Sequence, residues 1–234
     1  MYIITGASNN HYFTLIQFID SFIKNKVNEN LIIYNLGIDE PRWIKLKEHY
    51  ALYNFIFEVF DYSKYPYWFN ININIGEYAW KPAIIHDVFN KFSNEIIIWM
   101  DAGNIILDNL DNLRLSIEEN NIHSGLTSGN IKMWTHMDTI KLLKCDNVYR
   151  QNRNGACIGF NSKIDWVKEF IKLFYMCCSD KNIIAPPGSS RMNHRQDQAV
   201  FTILYYKYLD KNTAWNEFIG YSIHNDIGGS GNPK

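Results

Sequence analysis

The chain has 234 residues, of which 47% are hydrophobic, 15% aromatic and 20% charged, a composition that excludes a disordered chain, a collagen-like repeat and a coiled coil. Lys and Arg total 23 against 24 Asp and Glu, so no global basic field attracts nucleic acid or an anionic membrane, and any bound anion needs a local site. The length suits one large domain or two small ones.

Tyr2-Ile3-Ile4-Thr5 reads as a short apolar strand that breaks at Gly6-Ala7-Ser8-Asn9-Asn10. Tyr12 to Lys24 follows as an amphipathic helix with Leu15, Ile16, Ile19, Phe22 and Ile23 on one face. Leu31 to Asn35 is a second strand, Glu40 to His49 a polar helix and Asn54 to Phe60 a third strand. This alternation favours a parallel α/β sheet. Tyr62 to Gly76, aromatic and rich in Asn, has no clear period and reads as a long loop of the kind that borders sites. A helix starts at Lys81-Pro82, where the missing N–H of proline costs nothing, and buries Ile84, Ile85, Val88, Phe89 and Phe92. It leads into Glu95 to Met100, whose unbroken Ile run suits a central strand covered on both faces.

Beyond that strand, Ile105 to Leu115 reads as a turn-rich connector, Ser124 to Thr127 and Ala156 to Phe160 as short strands, and Trp166 to Cys178 as a helix. Pro186 to Ser190 is a loop and Gln198 to Leu209 a last helix. No repeat or low-complexity linker divides the chain, so residues 1–226 are read as one domain and 227–234, rich in Gly, as a flexible tail. Cys145, Cys157 and the adjacent Cys177-Cys178 form neither a disulfide scaffold nor a zinc-binding C-x-x-C pair. The N terminus lacks a basic n-region, no apolar run approaches the ~20 residues of a membrane span, and no N-x-S/T sequon occurs. These features point to the cytoplasm, or to a host's cytoplasm for a viral protein. The joint preference for Asn, Ile, Tyr, Lys and Phe is that of A/T-rich codons, so the abundant Asn reports base composition and not a ligand-binding tract.

Ligands of open parallel sheets sit at the carboxyl ends of strands, which singles out Thr5-Gly6 and Asp101-Ala102-Gly103. Asp101 is then either a turn residue ahead of Gly103 or a ligand. Asp197-Gln198 opens an apolar helix, where an acid complements the dipole, keeps a lowered pKa and remains ionised. Lys81 at a helix start opposes the dipole, so it either meets an anion or extends into water. Arg191 and Arg195 flank the Pro/Gly/Ser loop with His194 between them. Trp68, Tyr67, Trp80 and Trp134 are either core or stacking platforms.

Ile97 to Asn104, an apolar strand ending in Asp101-Ala102-Gly103, resembles the strand and Asp-x-Asp motif of GT-A nucleotide-sugar glycosyltransferases. Thr5 to Tyr12 is similar to their first donor-binding loop, Asn154 to Asn161 to the strand after the acidic motif, and His194 to Gln198 to the downstream Asp-Gln helix start. Together with Tyr78 to Pro82, these segments resemble a little-characterised, glycosyltransferase family 8-like group over roughly Met1 to Leu209. The resemblance implies a single GT-A (Rossmann-like) α/β domain with a mixed, mainly parallel sheet. It also implies transfer of a sugar from a nucleotide-diphosphate donor, with uridine the expected base, to a glycan or protein hydroxyl.

By that resemblance Thr5, Gly6, Ala7, Asn9, Lys81, Asp101, Ala102, Gly103, Asn154 and Gln198 hold the donor, and Asp197 is the catalytic carboxylate. Asp197 acts as base in an inverting enzyme or stabilises, or attacks, the oxocarbenium-like centre in a retaining one. Asp101 and His224 are the implied ligands of Mn²⁺ or Mg²⁺, although Gly103 stands where the pattern has its second Asp. The alternatives are charge supplied by Lys81, Arg191, His194 and Arg195 in place of a metal, a nucleotide-sugar binder without turnover, a saccharide-binding module, and a sugar nucleotidyltransferase. The last is disfavoured because Gly6-Ala7-Ser8-Asn9 lacks a basic, Gly-rich signature.

Overall fold

The computed structural model describes residues 1–209 and 219–227, so all but Ile227 of the expected tail lies outside the described residues. The first half alternates strand and helix: β1 (Tyr2–Ser8), α1 (Tyr12–Lys24), β2 (Asn30–Gly37), α2 (Glu40–His49), β3 (Ile56–Val59), α3 (Trp80–Lys91) and β4 (Ile96–Met100). Then come β5 (Ile105–Ile106), α4 (Asp111–Asn120), β6 (Ile122–Asn130), α5 (Ile131–Trp134), α6 (Met137–Leu142) and β7 (Gln151–Asn161). α7 (Asp165–Ser179), α8 (Lys181–Ile184), α9 (Gln196–Tyr208) and β8 (Tyr221–Ser222) complete the described elements. Local chemistry explains several starts. Asp39 caps α2 by accepting from the Arg42 amide at 3.0 Å, with Pro41 in the first turn.

The main sheet has the order β3-β2-β1-β4-β7-β6. The first four of these strands pair in parallel, while β7 is antiparallel to both β4 and β6. The chain steps outward from β1 to β2 and β3, then returns to the other side of β1 as β4. Strand order therefore reverses between β1 and β4, and a crevice opens there at the strand ends.

Helices cover both faces, which is why the central strands are apolar without a break. Ile4, Ile97 and Trp99 pack with α3, α7 and α9 through Ile84, Phe170 and Phe201. Ile3, Ile96, Ile98 and Met100 pack with α1, α2 and α4 through Phe18, Trp43 and Ile117.

The differences from the sequence reading have local causes. α4 begins inside the segment read as a connector, Ile105 to Leu115, and runs beyond it; no long apolar stripe marks the helix, because only Leu113, Ser116 and Ile117 of its ten residues are buried. β7 begins five residues earlier than its apolar run because its first half buries polar side chains. Arg153 there is fully buried, with its guanidinium 4.0 Å from the Tyr205 ring and donating to the Ser124 carbonyl at 3.0 Å. The loop after β3 folds into short 3₁₀ turns at Tyr62–Lys64 and Tyr67–Phe69. It closes with five consecutive positive φ angles over Asn74, Ile75, Gly76, Glu77 and Tyr78. Among the described residues no helix is long and apolar enough to cross a membrane.

Two buried histidines make stability sensitive to acid. His123 on β6 lies between the Ser116 hydroxyl at 2.9 Å and the Tyr221 hydroxyl at 3.1 Å, and burial, reinforced by Arg153, pushes its pKa down to about 3. His194 is bonded to the Ile184 carbonyl at 2.8 Å, and burial pushes its pKa down to about 4. The unfolded chain takes up these protons near pH 6.5, so this contribution to stability is intact above that pH and declines as pH falls toward 4. The loss is at most ~1.4 kcal/mol per histidine per pH unit. Denaturant midpoints should fall over this range, and His123→Gln should show a shallower decline.

Candidate functional site

A cleft of about 610 Å³ lies at the reversal point of the sheet. Gly6, Ala7, Asn9, Lys81, Asp101, Ala102, Gly103, Asn154, Asp197, Gln198 and His224 all line it. Thr5 does not. β1 runs on to Ser8, which leaves Thr5 fully buried inside the sheet with its hydroxyl unpartnered. His194 is likewise buried in the core away from the cleft, so it supplies no charge there.

Lys81 is the centre of the site. Its ammonium lies 3.0 Å from Asp101 Oδ1 and 3.3 Å from Asp197 Oδ2, and donates to the Gly155 carbonyl at 3.1 Å. Its residue is only 4% exposed, so the solvated alternative for this lysine is ruled out by its surroundings. The positive-φ turn before α3 sets its position. Gly76 is required there, since a Cβ would stand 2.2 Å from the Phe69 carbonyl oxygen, and the Trp80 indole locks the turn by donating to the Ile75 carbonyl at 2.9 Å. A β-branched residue such as Ile75 at φ 59 is strained, and strain of this kind persists where surrounding structure enforces it.

Asp101 follows β4 directly. The Trp99 indole donates to its Oδ1 at 2.6 Å, and its own amide donates to the Ala156 carbonyl at 2.8 Å. The carboxylate side chain remains 39% exposed toward the cleft. Asp197, in the first turn of α9, is 5% exposed. Burial opposes the charge on Lys81, but Asp101 and Asp197 outweigh it and raise its pKa. Asp197 departs from the expectation of a lowered pKa. Burial raises it more than Lys81 lowers it, with Asp101 adding to the rise, so desolvation outweighs the ammonium. Asn154 and Gln198 shape the wall: the Asn154 side chain accepts from the Ala156 amide at 2.6 Å, and Gln198 donates to the Arg153 carbonyl at 2.5 Å.

A carboxylate that sequence reasoning passed over stands beside Gly103. A Cβ built on Gly103 would stand 2.7 Å and 2.9 Å from the two carboxylate oxygens of Asp226. The segment after β8 brings Asp226 there, held by the Asn225 amide donating to the Gly103 carbonyl at 2.7 Å and by β8 pairing with β5. An acid so far along the chain carries no motif signal, and only the space left by Gly103 connects the two. Among the described residues no three His, Cys, Asp or Glu side chains form a ready-made metal shell. Asp101 and Asp226 bring carboxylate oxygens, the donor type a hard divalent cation prefers, to a cleft that His224 also lines.

The aromatic residues divide. Trp68 is core, Trp80 packs on Trp99 with ring centroids 5.7 Å apart and lines the cleft, and Trp134 lines it too. Tyr67 is 74% exposed outside the cleft.

A family model described as a protein of unknown function (DUF1647) matches residues 1–86. No curated protein matches the sequence. Among solved structures, the bifunctional glycosyltransferase WbbM aligns with a TM-score of 0.61 at 15% identity, covering 88% of this chain, which spans only 37% of WbbM. Galactosyltransferase LgtC, in complex with donor and acceptor sugar analogs, aligns at 0.60 and 13% identity over 96% of this chain and 87% of its own. Mouse xyloside xylosyltransferase 1 aligns at 0.52 and 10% identity over 88% of this chain and 82% of its own. A six-stranded, mainly parallel sheet that superposes on these enzymes over nearly its whole length gives this chain the GT-A fold of glycosyltransferases.

Proposed function

We propose that the protein transfers a sugar from a nucleotide-diphosphate sugar, with uridine as the base, to a hydroxyl on a glycan or protein. The observation that carries this reading is the pair of carboxylates, Asp101 and Asp197, bridged by buried Lys81 at the reversal point of the sheet. The nucleotide lies along the β1 tip at Gly6, Ala7 and Asn9. Its diphosphate sits at Asp101-Ala102-Gly103, and the sugar points to Asp197 and Gln198. Lys81 bridges the two carboxylates and offsets part of their mutual repulsion. Asp197, with its pKa raised by burial, is suited to accept or return a proton, or to face positive charge at the anomeric carbon. The family 8-like affinity belongs to this reading, and so does a cytoplasmic setting, which four free thiols suit.

Mn²⁺ or Mg²⁺ is part of the proposal, held by Asp101, Asp226 and His224. A cation bound there would supply positive charge for the diphosphate leaving group.

Thermal shift against nucleotide diphosphates and their sugars, with Mn²⁺ and with excess chelator, tests the reading. A uridine diphosphate sugar at 100 times its Kd is expected to stabilise the protein by about 2.7 kcal/mol, and the chelator should remove most of that gain. No stabilisation by any nucleotide sugar contradicts the function. Stabilisation that survives chelation contradicts the metal and moves its task to protein charge.

A further inference from the structure

Arg191 and Arg195 both line the cleft, on the segment that leads into α9. Among the described residues neither guanidinium pairs with a carboxylate. Each rests on an aromatic ring instead. The Arg195 guanidinium carbon is 4.2 Å from the centre of the Trp134 ring, and that of Arg191 is 5.7 Å from Tyr78, to whose hydroxyl it donates at 3.0 Å. The two cations are close enough to oppose one another: after burial, Arg191 is the main cause lowering the Arg195 pKa. Two like charges on one wall, planar and held by aromatic faces, form a fork suited to an anion.

The sheet order shows which side of the cleft they serve. β2 and β1 lie toward one end, β4 and β7 with the Lys81 cluster come next, and β6 is the far edge. Trp134, under Arg195, donates through its indole to the Ser128 carbonyl of β6 at 3.1 Å, and its own carbonyl accepts from the Arg195 amide at 3.0 Å. Arg195 thus stands on the β6 side, across the acid cluster from the β1 tip, and Arg191, resting on Tyr78 of the turn before α3, neighbours it. A donor that runs from β1 to Asp197 leaves this side to the acceptor.

We propose that Arg191 and Arg195 form an anion subsite for the acceptor, which carries a carboxylate or phosphate group near its reacting hydroxyl. This rests on the transferase reading above. Hydrogen bonds to a charged group outweigh those to a neutral one, so the charge on the acceptor sets its affinity.

Calorimetric titration of the wild-type protein, free and saturated with uridine diphosphate, uses three probes: methyl glucoside, methyl glucuronide and methyl glucoside 6-phosphate. At least one charged probe should bind about 10-fold or more tighter than the neutral one. Arg191→Gln with Arg195→Gln should abolish that preference and leave uridine diphosphate affinity within about 2-fold, since the pair lies off the donor path. Equal binding of all three probes, including none at all, overturns the subsite. Lost uridine diphosphate affinity in the double variant also overturns it and assigns the arginines to the donor diphosphate. A charge preference in a protein that does not bind uridine diphosphate keeps the subsite and sinks the nucleotide-sugar reading alone.

Discussion

Lys81→Met is expected to abolish turnover and to lower the melting temperature by roughly 10 °C, because it leaves buried Asp197 facing no cation. Removing one partner of a buried ion pair costs about 3–5 kcal/mol. Asp101 contributes little of this, since its side chain is 39% exposed and water replaces part of its partner. Lys81→Met combined with Asp197→Asn should recover much of the lost stability and none of the activity. That recovery separates an electrostatic loss from a packing loss. Additive destabilisation in the double variant would mean that the lysine stem, and not its charge, holds the site together.

Asp197→Asn should lower kcat by roughly 10²-fold or more while leaving nucleotide-sugar affinity within a few fold, the pattern of a group whose work lies in the chemical step. Lys81 keeps Asp101 as its ion partner at 3.0 Å, the shape is kept and burial already disfavours the Asp197 charge, so the melting temperature should move by less than about 4 °C. An unchanged kcat, or a protein that no longer folds, would return Asp197 to the role of an acid at a helix start.

Much of the frame was legible because parallel strands covered on both faces are continuous apolar runs. Tyr2 to Thr5, Leu31 to Asn35 and Ile96 to Met100 stand out on that basis, and the alternating helices follow. The places where reading failed are those where burial and apolarity part company. The first half of β7 hides Asn152, Arg153 and Asn154 in the core, and α4 shows the core little more than Leu113 and Ile117. Gly6, Ala7 and Asn9, singled out by motif, line the cleft, whereas Thr5 sits too far back along a strand that continues to Ser8. The bridge of Lys81 between Asp101 and Asp197, and the carboxylate of Asp226 beside Gly103, join segments distant in sequence. Neither leaves a periodic or spacing signal, and only the reversal of strand order brings them to one cleft.

Asp101 at the end of β4 is the proposed anchor of the donor. Titration of the wild-type protein and of Asp101→Asn with a uridine diphosphate sugar in the presence of Mn²⁺ tests it directly. Wild type is expected to bind one equivalent, and Asp101→Asn to bind at least about 10-fold more weakly with its fold intact, since a charge-assisted contact is lost. Wild-type protein that binds no nucleotide sugar, or an Asp101→Asn variant that binds as tightly as the parent, would contradict it.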